Sequence, residues 1–324
     1  MMSPSSPPMN AVEIEDLSHV YPAGRKAAPN RPVLSGIRFS VHAGEIFGLL
    51  GPNGGGKTTL FRILSTGLVP TSGKARLFGS DVVADPAAVR RRIGVVFQNP
   101  SLDKKLTVRE NLLHHGHLYG LKGSPLQERI EEQLRHLSLT DRADDFVEHL
   151  SGGLQRRVEI AKGLLHHPQL LIMDEPSTGL DPGARRDMWD YLFELKKGGI
   201  TVLLTTHLME EGEKCDRLAI LNLGHLVAIG TPAALKSKIG GDVISIQTPQ
   251  STLLCEQLRQ KFGGTPVALD GTVRIERQEG HKFIPQLVES FPGLIEAVTV
   301  GKPTLEDVFI HETGHEFWRP GSEN

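Results

Sequence analysis

One octapeptide constrains the fold of this chain more than any other feature, Gly51-Pro52-Asn53-Gly54-Gly55-Gly56-Lys57-Thr58. It fits the pattern G-x-x-x-x-G-K-[ST], follows an apolar run at residues 45–50, and precedes a helical pattern that begins near Lys57. Glycines let such a loop turn its N–H groups toward phosphates, and the helix N-terminus adds positive potential. A flexible glycine-rich turn has no reason to place Lys-Thr between a buried strand and a helix. The loop therefore predicts a site for the β- and γ-phosphates of a nucleotide, with Lys57 as a point charge and Thr58 as a Mg²⁺ ligand.

Four nearly continuous apolar runs predict strands that are covered on both faces, at residues 45–50, 93–97, 170–173 and 201–204. Short alternating stretches within residues 12–41 predict an antiparallel edge. Helical spacing of apolar residues then indicates a helical insert at about 107–168. We expect an α/β fold with a mainly parallel sheet, an antiparallel edge and this insert.

The last quarter of the chain has a different pattern. After a predicted hairpin, Gly240-Gly241 reads as a linker, and the elements beyond it follow the order strand, helix, strand, strand, helix, strand. We expect a main domain over 11–235 and a small α+β accessory domain over 240–324, with the split βαβ pattern. The Ser- and Pro-rich residues 1–10 have no signal-peptide features and are expected to be a disordered tail.

Charge and cysteine content exclude several classes of function. Lys and Arg total 36 against 38 Asp and Glu, for a net charge of −2, and no basic block suggests a nucleic-acid partner. Cys215 and Cys255 have no metal-ligand spacing, so neither a zinc site nor a disulfide framework is expected. The apolar runs are far shorter than the roughly 20 residues of a membrane-spanning helix. We expect a cytoplasmic protein that contacts a membrane only through a partner.

Polar side chains follow three of the predicted parallel strands. Asp174 and Glu175 come after one apolar run, His207 after a second, and Gln98 after a third. Carboxyl ends of parallel strands meet at the edge where ligands of open α/β sheets bind. We expect Asp174 to hold Mg²⁺ through water, and Glu175 to position or deprotonate the water that attacks the γ-phosphate. His207 could bond the γ-phosphate and Gln98 the metal or the water, whereas capping of the next element is the structural alternative for the carboxylates.

A second phosphate-type element lies at Ser151-Gly152-Gly153, which precedes a helix with apolar Val158 and Leu164. A chain with one phosphate loop has no obvious need of another helix N-terminus of this kind. Together with the phosphate loop and the acidic strand end, this element identifies a family.

Over residues 12–234 the chain resembles the ATPase subunits of ABC transporters. The resemblance makes residues 51–58 the Walker A loop, 151–153 the signature, 173–175 the Walker B end and 177–181 the D-loop, with Gln98 in the Q-loop and His207 as the switch histidine. It implies ATP as the nucleotide and a separate transmembrane permease as a partner. It also implies head-to-tail pairing with a second copy or a related cassette, so that the signature of one subunit closes on the ATP of the other.

The site residues that the resemblance implies fall into three sets. The catalytic set is Glu175, His207 and Gln98. The Mg²⁺ ligands are Thr58, Gln98 and Asp174. The nucleotide-binding set is Tyr21, Gly51, Pro52, Asn53, Gly54, Gly55, Gly56, Lys57, Thr58, Thr59, Ser151, Gly152, Gly153 and Asp181. Tyr21 would stack on adenine, although a tyrosine that ends an edge strand can also serve packing alone.

A narrower resemblance concerns the tail Pro303-Thr304-Leu305-Glu306-Asp307-Val308-Phe309, with Thr304 as a helix cap. It is similar to the C-terminal extension of drug-exporter ATPases of the daunorubicin-resistance type. This implies export of a drug, lipid or other small molecule from the inner face of the cell membrane. An importer ATPase remains open because the cassette does not encode direction. A soluble ABC ATPase of DNA repair is disfavoured because no long coiled coil separates Lys57 from Ser151, and a GTPase or small-molecule kinase because the signature is present and the N-K-x-D motif is missing.

Overall fold

A computed structural model describes residues 9–22 and 32–317 of the chain. Residues 1–8 of the predicted disordered tail lie outside the described residues, and Asn10 already belongs to the first strand. The chain divides into two compact units between Leu226 and Val227. Within the two described stretches, no helix combines the length and the apolar character needed to cross a bilayer.

The first unit contains an α/β arrangement with a helical insert. Its strands are β1 (Asn10–Val20), β2 (Pro32–His42), β3 (Ile46–Leu50), β4 (Ser72–Leu77), β5 (Ser80–Asp81), β6 (Ile93–Val96), β7 (Leu170–Asp174), β8 (Thr201–Thr206) and β9 (Arg217–Asn222), and β10 (His225–Gly230) crosses the division between the units. Its helices are α1 (Lys57–Leu64), α2 (Pro86–Arg92), α3 (Val108–Leu118), α4 (Gly123–His136), α5 (Gly152–Leu164), α6 (Pro182–Lys197) and α7 (Met209–Gly212).

The predicted antiparallel edge is confirmed as a separate four-stranded sheet with the order β2-β1-β4-β5. Val12 and Ile14 of β1 are buried, whereas the next residue, Glu15, is exposed, as expected for a sheet with one face on the core. Ile14 lies opposite Phe39 of β2 and Ala75 of β4. Apolar pairing across the strands therefore sets this register.

The predicted parallel strands form a six-stranded sheet with the order β10-β9-β3-β8-β7-β6. Strand β3 pairs in parallel with β8 and β9, and β7 pairs in parallel with β6 and β8. Every residue of β3, β7 and β8 is buried, because helices cover both faces. Their carboxyl ends at Leu50, Asp174 and Thr206 consequently share one edge of the sheet.

The helical insert is held to this unit by apolar packing. Leu112 of α3, Ile130 of α4 and Val158 of α5 are fully buried in one hydrophobic cluster with sheet residues such as Val202. Helix α3 begins with a capping box, in which Thr107 and Glu110 each accept a hydrogen bond from the other's backbone N–H. The insert therefore presents the N-terminus of α5 from a rigid base.

The second unit is α+β. It contains α8 (Pro232–Lys236), β11 (Asp242–Gln247), α9 (Ser251–Phe262), β12 (Val267–Leu269), β13 (Thr272–Arg277), α10 (Gly280–Ser290), β14 (Ala297–Gly301) and α11 (Leu305–Thr313). The strand order is β12-β13-β11-β14, with every pairing antiparallel, which is the order of a split βαβ fold. Ile244 and Leu258 are fully buried in its core, which α9 and α10 complete.

The division of the chain lies before the predicted start of the accessory domain at 240. Helix α8 packs against α11, and Leu235 of α8 is fully buried, so the compact second unit begins earlier than the glycine pair. Thr304 caps α11 by accepting from the Asp307 N–H at 3.2 Å. Which boundaries delimit independently folding domains stays a prediction.

Candidate nucleotide site

The glycine-rich loop between β3 and α1 forms one wall of a cleft. Gly56 precedes α1 with φ of 101°, and a Cβ atom there would lie 2.7 Å from Leu34 Cδ2 and 2.9 Å from the Val33 carbonyl oxygen. Gly51 is equally restricted, because its Cβ would lie 2.3 Å from the Leu221 carbonyl oxygen. Only glycine fits these two positions. The cleft, of about 290 Å³, is lined by Val33, Asn53, Gly54, Gly55, Gly56, Lys57, Thr58, Thr59, Gln98 and Glu175.

Lys57 is nearly buried at the base of this loop, with 4% of its side chain exposed. Its Nζ donates to the Gly51 carbonyl at 2.8 Å and the Pro52 carbonyl at 3.1 Å, and lies 3.3 Å from Glu175 Oε1. Burial lowers the pKa of Lys57, although the Glu175 carboxylate opposes this shift. The ammonium is thus held at the cleft by oxygens that an incoming phosphate could join.

Asp174 ends β7 within reach of the phosphate loop. Its Oδ1 accepts from Thr205 Oγ1 at 2.5 Å and from Thr58 Oγ1 at 3.4 Å, and burial raises its pKa. Carboxylate and hydroxyl oxygens are the ligands that Mg²⁺ prefers. Burial of a carboxylate is costly unless charges or hydrogen bonds compensate it, and the Thr58 hydroxyl and the Asp174 carboxylate together offer oxygen ligands that fit a divalent ion.

Glu175 brings the three predicted catalytic residues together. Its Oε2 lies 3.1 Å from His207 Nδ1, and Gln98 Nε2 donates to the same oxygen at 3.4 Å. Burial raises the pKa of Glu175, but the His207 contact and the charge on Lys57 outweigh it and hold the pKa below its usual value of 4.5. The carboxylate is therefore ionised at neutral pH and able to accept a hydrogen from water.

The backbone at Glu175 is unusual. Its φ is 43°, in the left-handed region that residues with a Cβ atom rarely adopt, and its N–H donates to Thr205 Oγ1 at 2.9 Å. Strain of this kind persists where surrounding contacts over-determine the conformation, and it concentrates at functional sites. The turn aims the Glu175 side chain into the cleft.

The signature residues, Tyr21 and Asp181 are not among the residues that line this cleft. Ser151 caps α5, accepting from the Leu154 N–H at 3.3 Å, and both Ser151 and Gly152 are exposed. Asp181 caps α6, accepting from the Gly183 and Ala184 N–H groups at 2.9 Å each. Tyr21 is 39% exposed, and its hydroxyl lies 3.4 Å from Thr59 Oγ1. The chain thus presents its signature at the surface, outside the set of residues that line its own cleft.

Sequence reasoning missed three side chains in and around the site, Thr205, Arg156 and Glu159. Thr205, a polar residue inside an apolar strand, bonds both Asp174 and Glu175. Arg156 of α5 donates to the Phe97 carbonyl at 2.7 Å and the Gln98 carbonyl at 3.0 Å. Glu159, also on α5, accepts from the Ser101 N–H at 2.7 Å. Charges three residues apart on the buried face of a helix were the available signal.

Comparison with known proteins identifies the family. A family model described as ABC transporter matches residues 34–178. The Nod factor export ATP-binding protein I of Rhizobium sp. (strain N33) is 40% identical over 305 residues, which cover 90% of this chain and 95% of that protein. This chain belongs to the ABC transporter family.

Other ABC proteins extend the likeness to both units. The daunorubicin/doxorubicin resistance ATP-binding protein DrrA of Streptomyces peucetius is 37% identical over 318 residues, covering 95% of this chain and 94% of that one. Among solved structures, cbiO1 from Clostridium perfringens matches with a TM-score of 0.63 and 25% identity, covering 78% of this chain and 96% of cbiO1. A dimeric ATP-binding cassette in a post-hydrolysis state with ADP and Pi matches with a TM-score of 0.61 and 27% identity, covering 68% and 98%.

These likenesses confirm the predicted family and the P-loop α/β cassette fold. The chain is an ATP-binding, ATP-hydrolysing subunit of the ABC class, related to ATP-binding proteins of exporters. The roles of its individual site residues stay predictions.

Proposed function

We propose that this ABC ATPase subunit powers a separate membrane permease that exports a small molecule. The observation that carries the proposal is the convergence of Lys57, Glu175, His207 and Gln98 on one cleft beside the glycine loop. Relatives whose names include Nod factor export and daunorubicin resistance support the direction and the class of cargo. The chain would then act at the inner face of the cell membrane, bound to its permease.

Within the cleft each residue has a distinct task. The loop N–H groups and Lys57 hold the β- and γ-phosphates, and Tyr21 stacks on adenine. Mg²⁺, held by Thr58 and Asp174 with Gln98 nearby, would neutralise phosphate charge. Glu175 orients the attacking water and accepts its proton, and His207 bonds the γ-phosphate while fixing the Glu175 carboxylate.

The exposed signature supports a composite site between two cassettes. Ser151 and Gly152 stand at the N-terminus of α5, where backbone N–H groups can bind an anion. They do not line the cleft of their own chain, so a second copy, or a related cassette, would supply them. Asp181 begins the next helix and would join the same contact. ATP then acts as a bond between subunits, and its hydrolysis releases them.

Transport in membrane vesicles tests the direction and the need for ATP hydrolysis. Inside-out vesicles from cells that contain the chain, compared with vesicles from a deletion strain, should accumulate daunorubicin or another small-molecule cargo when ATP is added. The accumulation should be restored by the wild-type gene and not by the Glu175→Gln gene. ATP-driven loss of cargo from the vesicle lumen would instead identify an importer, and equal accumulation in the deletion strain would contradict a transport role for this cargo.

A further inference from the structure

A buried carboxylate that the nucleotide site does not use lies four residues after His207. Glu211, in α7, is 1% exposed. Its Oε1 accepts from Trp189 Nε1 at 3.1 Å, and its Oε2 accepts from Thr206 Oγ1. Both carboxylate oxygens are thus engaged by donors from other segments of the first unit, which is the condition under which a buried carboxylate is tolerated.

The Thr206 hydroxyl links Glu211 to the backbone on the far side of His207. While its hydrogen points to Glu211, its oxygen accepts from the Leu208 N–H at 3.0 Å, so one hydroxyl joins residues 206 and 208 on either side of the histidine. The Thr206 carbonyl also accepts from the Gly51 N–H at 3.3 Å, which ties the same turn to the phosphate loop. The backbone from which the His207 side chain departs is therefore fixed at two points.

The other end of the Glu211 contact is on a different helix. Trp189 is 1% exposed and lies in α6, the helix that Asp181 caps at its N-terminus. Because an indole N–H has a single hydrogen to donate, its bond to Glu211 fixes the orientation of both groups. Movement of α6 would consequently displace Glu211 and change the geometry of the turn that contains His207.

We infer that Glu211 is a positioning residue, which holds His207 against Glu175 and couples that contact to helix α6. The inference rests on the proposed role of His207. It adds a physical link between the helix that begins at Asp181 and the γ-phosphate side of the cleft. Hydrogen bonds that orient a functional group increase the reaction rate, because small misplacements of reacting groups slow the reaction.

Steady-state kinetics of the full-length chain separates positioning from binding. Glu211→Gln keeps the volume but places an amide N–H₂ against one of two donors, and Thr206→Val removes the relaying hydroxyl. For both variants kcat should fall about ten-fold, with the Kd for ATP within about two-fold of wild type. Glu210→Gln, on the exposed side of the same helix, should match wild type. An unchanged kcat in Glu211→Gln overturns the inference.

A double-variant cycle tests whether Glu211 acts through His207. Adding Glu211→Gln to His207→Ala should reduce kcat no further, because the group that Glu211 positions is already gone. Multiplying losses would overturn the inference and assign Glu211 an independent role. If His207→Ala alone retains full activity, the proposed role of His207 fails. If His207→Ala is impaired while Glu211→Gln is not, only the present inference fails.

Tryptophan fluorescence gives a readout that does not depend on turnover. The sequence contains two tryptophans, so Trp318→Phe leaves Trp189 as the only one. In that background ATP should shift the emission of Trp189, and Glu211→Gln should reduce the shift at least about three-fold at saturating ATP. Thermal melts and circular dichroism confirm that the variants are folded. The same ATP-induced shift in the folded Glu211→Gln variant would overturn the coupling between α6 and the His207 turn.

Discussion

The two units of the chain bury very different side chains. In the first unit Lys57, Asp174 and Glu175 are all less than 9% exposed and lie at the carboxyl edge of the parallel sheet, and the equally buried Arg156 contacts the segment that follows β6 there. In the described part of the second unit, Asp242 is the only charged residue buried to this degree. Burying a charge destabilises a fold unless partners compensate it. The first unit therefore gives up stability for chemistry at one edge, whereas the second follows the rules of packing alone.

Asp242 shows how the second unit uses its buried charge. It accepts from the Gly280 N–H at 2.9 Å, and Lys302 Nζ lies 2.7 Å from its other oxygen. Lys302, and then the Gly280 N–H, hold the pKa of Asp242 below its usual value. Both contacts join the start of β11 to neighbouring elements. This carboxylate is structural, and the contrast with Glu175 is testable.

The largest expected effect is that of Glu175→Gln. Glutamine is nearly isosteric and can still bond water, but it cannot accept the proton, and loss of a general base costs about 10²- to 10⁴-fold in rate. Phosphate release under saturating ATP measures the change. The matched control Glu128→Gln, on the exposed surface of α4, should hydrolyse ATP as wild type does.

The same Glu175→Gln variant should keep ATP bound and so remain a dimer. Light scattering after size-exclusion chromatography, with ATP and with ADP, measures its mass. Monomeric protein with demonstrably bound ATP would show that closure of two cassettes depends on the permease.

The low pKa of Glu175 adds a pH test: its protonation should not reduce wild-type hydrolysis until the pH falls below about 4.5.

Lys57→Ala ranks second. It removes the positive charge that faces the phosphates, and charged hydrogen bonds contribute about 1.5 to 3 kcal/mol, so the Kd for ATP should rise about 10- to 150-fold. Isothermal titration with ATP measures this, and Lys122→Ala on the surface is the control. Near-normal affinity and turnover in Lys57→Ala would break the contrast, because a buried charge of the first unit would then have no chemical task.

For the first unit, the sequence predicted where the polar side chains come together better than it predicted the contacts that support them. The positions of Lys57, Asp174 and His207 were predictable because Asp174 ends a buried strand and the other two follow one, and parallel strands bring their carboxyl ends to one edge. The hydrogen bond from Arg156 to the Gln98 carbonyl was not predictable, because it joins segments 58 residues apart and depends on how α5 packs. In the second unit alternating patterns predicted the order of elements, but the packing of α8 on α11, far apart in sequence, left no local signal.

Arg156→Met should have a smaller effect on rate. Losing two donors to the Phe97 and Gln98 carbonyls frees the segment that carries Gln98, so kcat should fall about ten-fold while ATP affinity changes little. The melting temperature should also fall, because Glu159 loses a buried partner at 3.5 Å. Arg157→Met is the control for a neighbouring, less buried arginine. Equal kcat values in the two variants would argue against a role for the Arg156 contacts with the Phe97 and Gln98 carbonyls.

The smallest expected effect concerns removal of the second unit. Fragments 1–230 and 1–239 should bind ATP within about two-fold of the full chain, because every residue that lines the cleft belongs to the first unit. The longer fragment keeps α8 without α11 and so exposes the apolar Leu235, which should make it the less soluble of the two. Loss of both fragments to aggregates would mean that the units share one core.

The left-handed backbone at Glu175 has a practical consequence for redesign. A residue with a Cβ atom at φ of 43° stores strain on the order of 1 kcal/mol that glycine would relieve. A search for thermostable sequences scored on folding alone would therefore replace this residue early, and its products would be robust proteins that cannot turn over. Efforts to stabilise this subunit for reconstitution should keep Glu175 unchanged and substitute exposed residues of the second unit to raise the free energy of unfolding.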